Sequence, residues 1–428
     1  MKQLLAFMLM PFCMTPLHLF SSEKNVEWPN EMQYELSSNA ATAAFYFDTI
    51  PNNPNLYSST PVYKNSSLTV VSKTIKPNSK ITITDFLIND DLIPVFMLAD
   101  GTYIEASHRL IYDDIVYSKE NVDLNYWLKD NFKVYNQPLV YGSKEVKSSL
   151  TAYTQIHLTE KAVTEQGVYY KVSGKGWISE EDLSAEDNRM QKVQNLLTQK
   201  YNQSNYSIFV KQLKTQKSAG INENTKMYAA SVAKLATLYY TQEQIQNGNI
   251  KLSDKLKYTS DVNSFKEAYN PSGSGKISKT ADNKEYSVET LLKAVAQNSD
   301  NVATNILGYY VAKQYDNDFQ TEIDSLSGMK WDMKERNISA KAAANMMEAV
   351  YYQDGKIIEY LSATDYDDSR IAKDISVQVS HKIGDAYDYK HDVAIIYAEE
   401  PYIVSVFTDK ATYDDITKIA DDIYAVLK

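Results

Sequence analysis

The sequence predicts a multidomain chain: two small all-β barrels, then an α+β domain with an antiparallel sheet and a helical subdomain. Three observations lead there. A length of 428 residues is enough for two or three domains. Two segments about 75 residues apart share one pattern of aromatic, turn, Gly, aromatic and Ile. After them come one strand-like stretch, several helical stretches, three late strands and a final helix, the order of an α+β domain.

Taken in order, residues 1–22 begin with Met-Lys and run apolar from Leu4 to Phe20. They have the pattern of a signal peptide or a short N-terminal anchor. Cys13, the one cysteine, lies within them, so the rest of the chain has no disulfide, thiolate nucleophile or Cys-based metal site. Residues 23–56 lack sustained periodicity and read as a linker, with a short helix near 38–48. The first barrel is expected over 57–125 and the second over 130–185. Their matching stretches are "FMLADGTYIEASHRL" (96–110) and "YKVSGKGWISEEDL" (170–183), preceded by "STPVYKN" (59–65) and "NQPLVYGS" (136–143). Short strands with Gly and Asn turns suit small barrels. The last domain should cover 186–428. Strands are expected near 205–216, 375–384, 391–400 and 401–410. Helices are expected over 186–200, from Ser231 to a stop at Gly248, over 287–297 capped by Ser287, over 339–355 between Ser339 and Gly355, and at the C-terminus.

A net charge of −11 argues against nucleic acid and against a polybasic grip on anionic surfaces. Tyrosine is used far more than Phe, which suits exposed β surfaces that hold polymers and equally suits strand packing. The histidines show no zinc spacing. No cofactor or metal is expected.

The chemistry rests on three short motifs. Ser-x-x-Lys occurs at Ser21, Ser231 and Ser327, but only Ser231 and Lys234 open a strongly apolar helix. Residues three apart there are neighbours, and a helix N-terminus favours the negative charge of an acylating serine. Ser299-Asp300-Asn301 lies between two helices. "SHKIGD" (380–385) ends an alternating strand, where Lys382 adds a cation and Gly384 lets a substrate approach the backbone closely. "NPSGSGKI" (270–277) departs from a phosphate-binding loop at its first Gly and its last hydroxyl, and reads as a flexible loop at the rim of the site.

In this order the motifs match Ser-x-x-Lys, Ser-Asp-Asn and Lys-Thr-Gly. Residues 190–428 resemble the serine penicillin-recognising enzymes, specifically the class A β-lactamase-like branch. The "GKGWIS" stretch resembles bacterial Gly-Trp modules, small barrels that hold cell-wall polymers. The resemblance implies roles. Ser231 would be the acylated nucleophile and Lys234 its base, with a pKa lowered by burial and Lys382. Ser299 would pass a proton to the leaving group, Asn301 would hold the substrate amide, and Asp300 would brace the backbone. The N–H groups of Ser231 and Asp385 would form the oxyanion hole. His391 and Asp392 read as strand-end packing.

Two departures qualify this. Ile383 replaces the hydroxyl residue that helps bind the substrate carboxylate. The Glu-x-x-Leu-Asn that activates the deacylating water is missing, and neither Glu322 nor Glu335 reproduces it. The expected function is therefore an exported serine acyl hydrolase or transferase acting on a peptidoglycan peptide or an ester of the cell envelope, with poor β-lactam turnover. The alternative is a wall-binding scaffold with lost turnover. The expected partner is a cell-wall polymer held by the barrels at a Gram-positive surface, with membrane contact only through the N-terminal segment.

Overall fold

A computed structural model describes residues 28–38 and 44–428. The expected leader and Cys13 lie outside them. The chain forms two compact units. One contains the described residues up to Asn125, Asn131–Ser149 and Ile156–Leu183; the other contains Ser184–Lys428 with Tyr126–Asp130 and Leu150–Gln155.

The N-terminal unit has helix α1 (Asn30–Ser37) and strands β1 (Pro54–Leu56), β2 (Thr60–Tyr63), β3 (Val71–Ile75), β4 (Ile83–Ile88), β5 (Pro94–Leu98), β6 (Tyr103–Glu105) and β7 (Ile111–Asp113). There follow β8 (Val116–Leu128), β9 (Gln155–Thr164), β10 (Gly167–Val172), β11 (Gly176–Ser179) and β12 (Leu183–Ser184). They make several small antiparallel sheets: β3-β2-β6-β5-β4, the pair β1-β7, and β11-β10-β9-β8-β12.

The internal repeat is visible in the registers. Phe96 pairs with Ile104 across the β5–β6 hairpin, and Tyr170 pairs with Ile178 across β10–β11. Tyr103 pairs with Tyr63, and Trp177 bridges to Tyr135. The upstream match is weaker: "STPVYKN" contains β2, whereas 136–143 forms turns. Trp177 is buried, with the Lys119 ammonium 5.0 Å from its ring centre.

Three boundaries differ from expectation. A helix lies at α1; of the helix expected near 38–48, residues 39–43 lie outside the described residues, and 44–48 are turn and bridge. Residues 44–56 are no linker: Phe47 and Leu56 are buried in one cluster with Phe96 and Ile104, because their large apolar side chains find a core there. Val116–Asn125 belongs to the second sheet rather than the first, because β8 runs on as one long exposed strand.

The C-terminal unit begins with α2 (Arg189–Lys200), β13 (Tyr206–Gln212), β14 (Ser218–Ile221) and β15 (Lys226–Tyr228). A 3₁₀ turn, Ala230–Ala233, leads into α3 (Lys234–Gln246). Next come β16 (Lys255–Lys257), β17 (Glu285–Ser287), α4 (Val288–Asn298), α5 (Asn301–Tyr310), α6 (Asn317–Ser327), β18 (Asn337–Ser339), α7 (Ala340–Gln353) and α8 (Lys356–Leu361). The unit closes with β19 (Val379–Ala386), β20 (Tyr389–Ile396), β21 (Tyr402–Asp409) and α9 (Tyr413–Leu427).

The main sheet is antiparallel, in the order β14-β13-β21-β20-β19. Both faces are covered, so its strands are apolar on both sides. Ile208, Val210, Val404 and Val406 pack with α2 and α9, whereas Phe209, Val393, Ile403 and Phe407 pack with the central helices. The caps follow the sequence closely: Ser287 and Ser339 accept N–H groups at the starts of α4 and α7, and Thr412 with Asp415 forms a capping box. Helix α7 stops one residue early, at Asp354 in the left-handed region (φ 47°).

Gly176 (φ +132°) precedes Trp177, and a Cβ there would lie 2.5 Å from the Tyr135 carbonyl oxygen; a Cβ at Gly174 (φ +69°) would meet nothing within 4 Å. Gly174→Ala should cost only the left-handed penalty, about 1–2 kcal/mol. Gly176→Ala should cost that and a steric term of roughly 1–3 kcal/mol. Chemical denaturation followed by fluorescence measures both; equal losses would contradict the close approach.

Candidate functional site

The three motifs converge within the C-terminal unit. Ser231 sits in the 3₁₀ turn, not on α3 itself, and Lys234 is the first residue of α3. Ala230, just before Ser231, adopts φ 48°, a conformation costly for a residue with a Cβ. Ser299 ends α4 in the left-handed region (φ 54°), and Asp300 caps α5 through the Ala303 N–H. Ser-Asp-Asn is thus a sharp helix-to-helix corner: one residue stops a helix, the next starts another, and the third faces the site.

That corner holds Lys234. Its Nζ donates to the Ser299 carbonyl oxygen (2.7 Å) and to Asn301 Oδ1 (2.6 Å). It lies 4.6 Å from the centre of the Tyr269 ring. The side chain is fully buried. Burial pushes its pKa well down, and the Lys382 charge adds to this, with Asp300 opposing. A neutral amine has two hydrogens and one lone pair. Here both hydrogens have acceptors, which leaves the lone pair for an incoming proton. The Ser231 side chain is 8% exposed and makes no hydrogen bond among the described residues.

Lys382 reaches the same corner from β19. Its Nζ donates to Ser299 Oγ (2.7 Å) and to the Ile383 carbonyl oxygen (3.1 Å). Burial lowers its pKa to about 7, with Asp392 opposing and Arg370 assisting. Strand β19 is an edge of the main sheet and packs on the 3₁₀ turn. Gly384 permits that approach, since a Cβ would lie 2.4 Å from the Ala229 carbonyl oxygen. Ile383 is buried beside it. The Asp385 carboxylate points to Arg370 Nη2 (2.8 Å) and the Tyr413 hydroxyl.

The structure departs from the expected roles in two places. Asn301 was expected to hold a substrate amide, yet its Oδ1 is on Lys234 and its Nδ2 donates to the Asn270 carbonyl oxygen (2.8 Å). One N–H and one lone pair remain on that amide. Residues 270–277, expected as a loose rim loop, clamp the corner instead: Asp300 Oδ2 accepts from the N–H groups of Lys276 (2.6 Å) and Ile277 (2.8 Å), and Asn301 N–H donates to the Ser274 carbonyl oxygen.

Other features were not legible. Arg336 stacks on Tyr269 at 3.7 Å, so the ring that faces the Lys234 amine also carries a guanidinium. Trp331 is fully buried and donates to the Ala233 carbonyl oxygen (3.3 Å). These side chains occupy the stretch where the deacylating glutamate was sought. Glu322 shares a hydrogen bond with Glu243, and burial with that partner raises its pKa to about 8; Glu335 is exposed. Neither is among the main charges acting on Lys234.

His391 and Asp392 are buried in packing roles. His391 accepts from the Thr408 N–H, donates to the Tyr228 carbonyl oxygen and stacks on Phe407. Burial lowers its pKa to about 4. Asp392 holds His381, and with Asp367 it outweighs the burial of that ring and raises its pKa to about 9. Among the described residues no group of His, Cys, Asp or Glu is arranged to hold a metal ion.

Comparisons with known proteins agree in outline. None of the curated proteins is significantly similar to the chain. Solved structures similar to it include PBP-A (15% identical, covering 56% of this chain and 94% of that one, TM-score 0.46). Others are β-lactamases from Sphaerobacter thermophilus (18%, 56% and 96%, TM-score 0.42) and Francisella tularensis (17%, 55% and 97%, TM-score 0.43). A domain of unknown function (DUF5776) matches residues 46–111. The model of the β-lactamase enzyme family matches residues 188–427, more than half of the chain. The chain belongs to the β-lactamase enzyme family, and its C-terminal unit is a serine hydrolase of the β-lactamase and penicillin-binding type.

Proposed function

We propose that this chain is an exported acyl-serine enzyme of a Gram-positive cell envelope, acting on a peptide or ester bond of the wall and turning over β-lactams poorly. The observation that carries the reading is the buried Lys234 amine, with both its acceptors supplied by the Ser299–Asn301 corner. Lys234 takes the Ser231 proton as Ser231 Oγ attacks the acyl carbon. The N–H groups of Ser231 and Asp385 face the developing oxyanion, each donor being worth roughly 3 kcal/mol of barrier. Ser299, hydrogen-bonded to Lys382, then relays the proton taken up by Lys234, giving its own hydroxyl proton to the leaving group as it receives that one.

The substrate reading rests on the charges around Ile383. No hydroxyl stands there, Lys382 is occupied by Ser299, and Arg370 is tied to Asp385 and stacked on Tyr413 at 3.8 Å. A free substrate carboxylate would compete for cations that already hold Ser299 and Asp385. An ester or an internal peptide bond would not. The packing of Arg336 and Lys234 against Tyr269 supports slow deacylation by water, because among the described residues no carboxylate is hydrogen-bonded to Ser231 or Lys234 to act as base. The N-terminal repeats, similar to Gly-Trp modules in "GKGWIS", would hold the enzyme on the wall polymer.

Incubation with fluorescent penicillin and with a fluorophosphonate, followed by mass spectrometry, should place an adduct on Ser231. The penicillin adduct should persist. Absence of any adduct, or rapid release of hydrolysed penicillin, would sink the proposal. Lys234→Met should slow acylation at least about a thousandfold.

Lys382→Met tests the second amine. The Lys382 pKa of about 7 lies below its ordinary 10.5, so between those values the unfolded chain binds more protons than the folded one. Stability should rise with pH across that window. Lys382→Met should lose this part of the slope and be more stable at neutral pH, by about 0.5–2 kcal/mol. Unfolding free energies at several pH values in the window measure it; an unchanged slope would mean Lys382 is not desolvated.

A further inference from the structure

On the face of β19 away from Lys382 lies a buried ion cluster that the acyl chemistry leaves unused. Strand alternation puts the His381 side chain on that face. His381 is 1% exposed, and Asp392, across from Ile383 on β20, is 0% exposed. His381 Nδ1 lies 2.9 Å from Asp392 Oδ2, and its Nε2 lies 3.1 Å from Asp367 Oδ1. Nε2 is also 3.0 Å from the Thr364 hydroxyl, but the one proton of that hydroxyl goes to Asp367 Oδ1 (2.6 Å). Each of these neighbours is therefore an acceptor. Both ring nitrogens must donate, so the ring is an imidazolium.

A buried cluster of this kind is a weak way to stabilise a strand, since apolar side chains would serve as well. Its effect falls on Lys382. Burial lowers the pKa of that lysine, Asp392 opposes, and Arg370 assists. The remaining charges nearby are engaged elsewhere. Arg370 is paired with Asp385, and Asp365, in the same loop, is paired with Lys276. Lys234 stands on the far side of Ser299, with Asp300 held by the N–H groups of residues 276 and 277. On α8, which packs against β19, Lys356 and Glu359 pair with each other. Asp392 is thus the carboxylate that draws Lys382 toward its ammonium form. Among the described residues, His381 is the one cation hydrogen-bonded to Asp392, whose further partner is the Ile371 N–H (3.2 Å).

We propose that His381 is a positioning residue of the acyl chemistry: held as an imidazolium between Asp367 and Asp392, it takes up the Asp392 charge and lets Lys382 stand as a neutral amine beside Ser299. The neutral amine has acceptors for both hydrogens, Ser299 Oγ and the Ile383 carbonyl oxygen. Its neutrality matters to Lys234. A charge on Lys382 weakens Lys234 as a base, and Lys234 itself becomes an ammonium when it takes the Ser231 proton. Two ammonium groups at one buried corner repel, so a neutral Lys382 makes room for that proton. The transferred proton runs from Ser231 to Lys234 and on through Ser299, while His381 keeps both of its own. The inference rests on the acyl-serine reading and names what sets the charge of its second amine.

The test follows Lys382 in the full chain, carbon-13-labelled at lysine Cε, by NMR across a pH series; loss of a resonance in Lys382→Met assigns it. In the unaltered chain that resonance should titrate at about 7. In His381→Gln the midpoint should rise by about one unit or more. Fluorophosphonate labelling of Ser231 at about pH 7.5 should then slow several-fold, and recover as the pH passes the new midpoint. A general loss of packing would not show that recovery. Because His381→Gln leaves a buried carboxylate unpaired, the same series is run on His381→Gln combined with Asp392→Asn, which removes both charges. Its midpoint and labelling rate should return toward those of the unaltered chain. Thermal melts identify the folded variants. An unchanged Lys382 midpoint in folded His381→Gln overturns the proposal, as does a combined variant whose midpoint stays about a unit or more above that of the unaltered chain. The NMR series needs no substrate. A Ser231 that no probe labels would count against the acyl-serine reading, while the Lys382 midpoint still decides the role of His381.

Discussion

The removal of the Lys234 amine from water is the constraint on which the rest of the C-terminal unit depends. A buried ammonium beside a second cation is expensive, and the cheapest response is to lose the proton. The neutral amine then needs acceptors for its two hydrogens. Ser299 and Asn301 supply them, but only because Ser299 takes a left-handed turn between α4 and α5. That turn is held by Asp300, which caps α5 and is gripped by the backbone of residues 276 and 277. Lys382 completes the arrangement from the sheet edge, and Gly384 lets that edge come close enough. Strained backbone at Ala230 and Ser299, two buried lysines and a clamped loop are all costs to stability that make sense as one device for keeping a base unprotonated.

The neighbours of Lys234 act in the same sense. Burial and the charges of Lys382 and Arg336 lower the proton affinity of the amine, and the Tyr269 ring packs 4.6 Å from it.

Much of the fold and the site was legible because it is locally encoded. Ser287 and Ser339 cap helices as their side chains dictate, and β13, β20 and β21 announce themselves by largely apolar runs, whereas β19 carries Ser380, His381 and Lys382. Ser231, Lys234, Ser299, Asn301 and Lys382 could be found because three short motifs occur in one order. What stayed hidden depends on partners distant in sequence. Arg336 meets Tyr269 across 67 residues, and neither neighbourhood carries a signature. The engagement of Asn301 by Asn270, and the use of 270–277 as a clamp, likewise come from packing and not from a pattern. In the N-terminal unit the repeat was readable from the hairpin registers of Phe96 and Tyr170, but its limits were not. Phe47 joins a core that short-range composition assigns to a linker, and β8 runs across the boundary expected at residue 125.

The protonation state of Lys234 is the point on which this account can be broken most directly. The second-order rate at which a fluorophosphonate labels Ser231, measured as a function of pH, reports it. The account predicts a rate that reaches its plateau well below the ordinary lysine value and does not climb further as that value is approached, since burial has already removed the proton. A rate still climbing toward the ordinary lysine value of 10.5 would show that Lys234 keeps its proton in the folded chain, and would contradict the account.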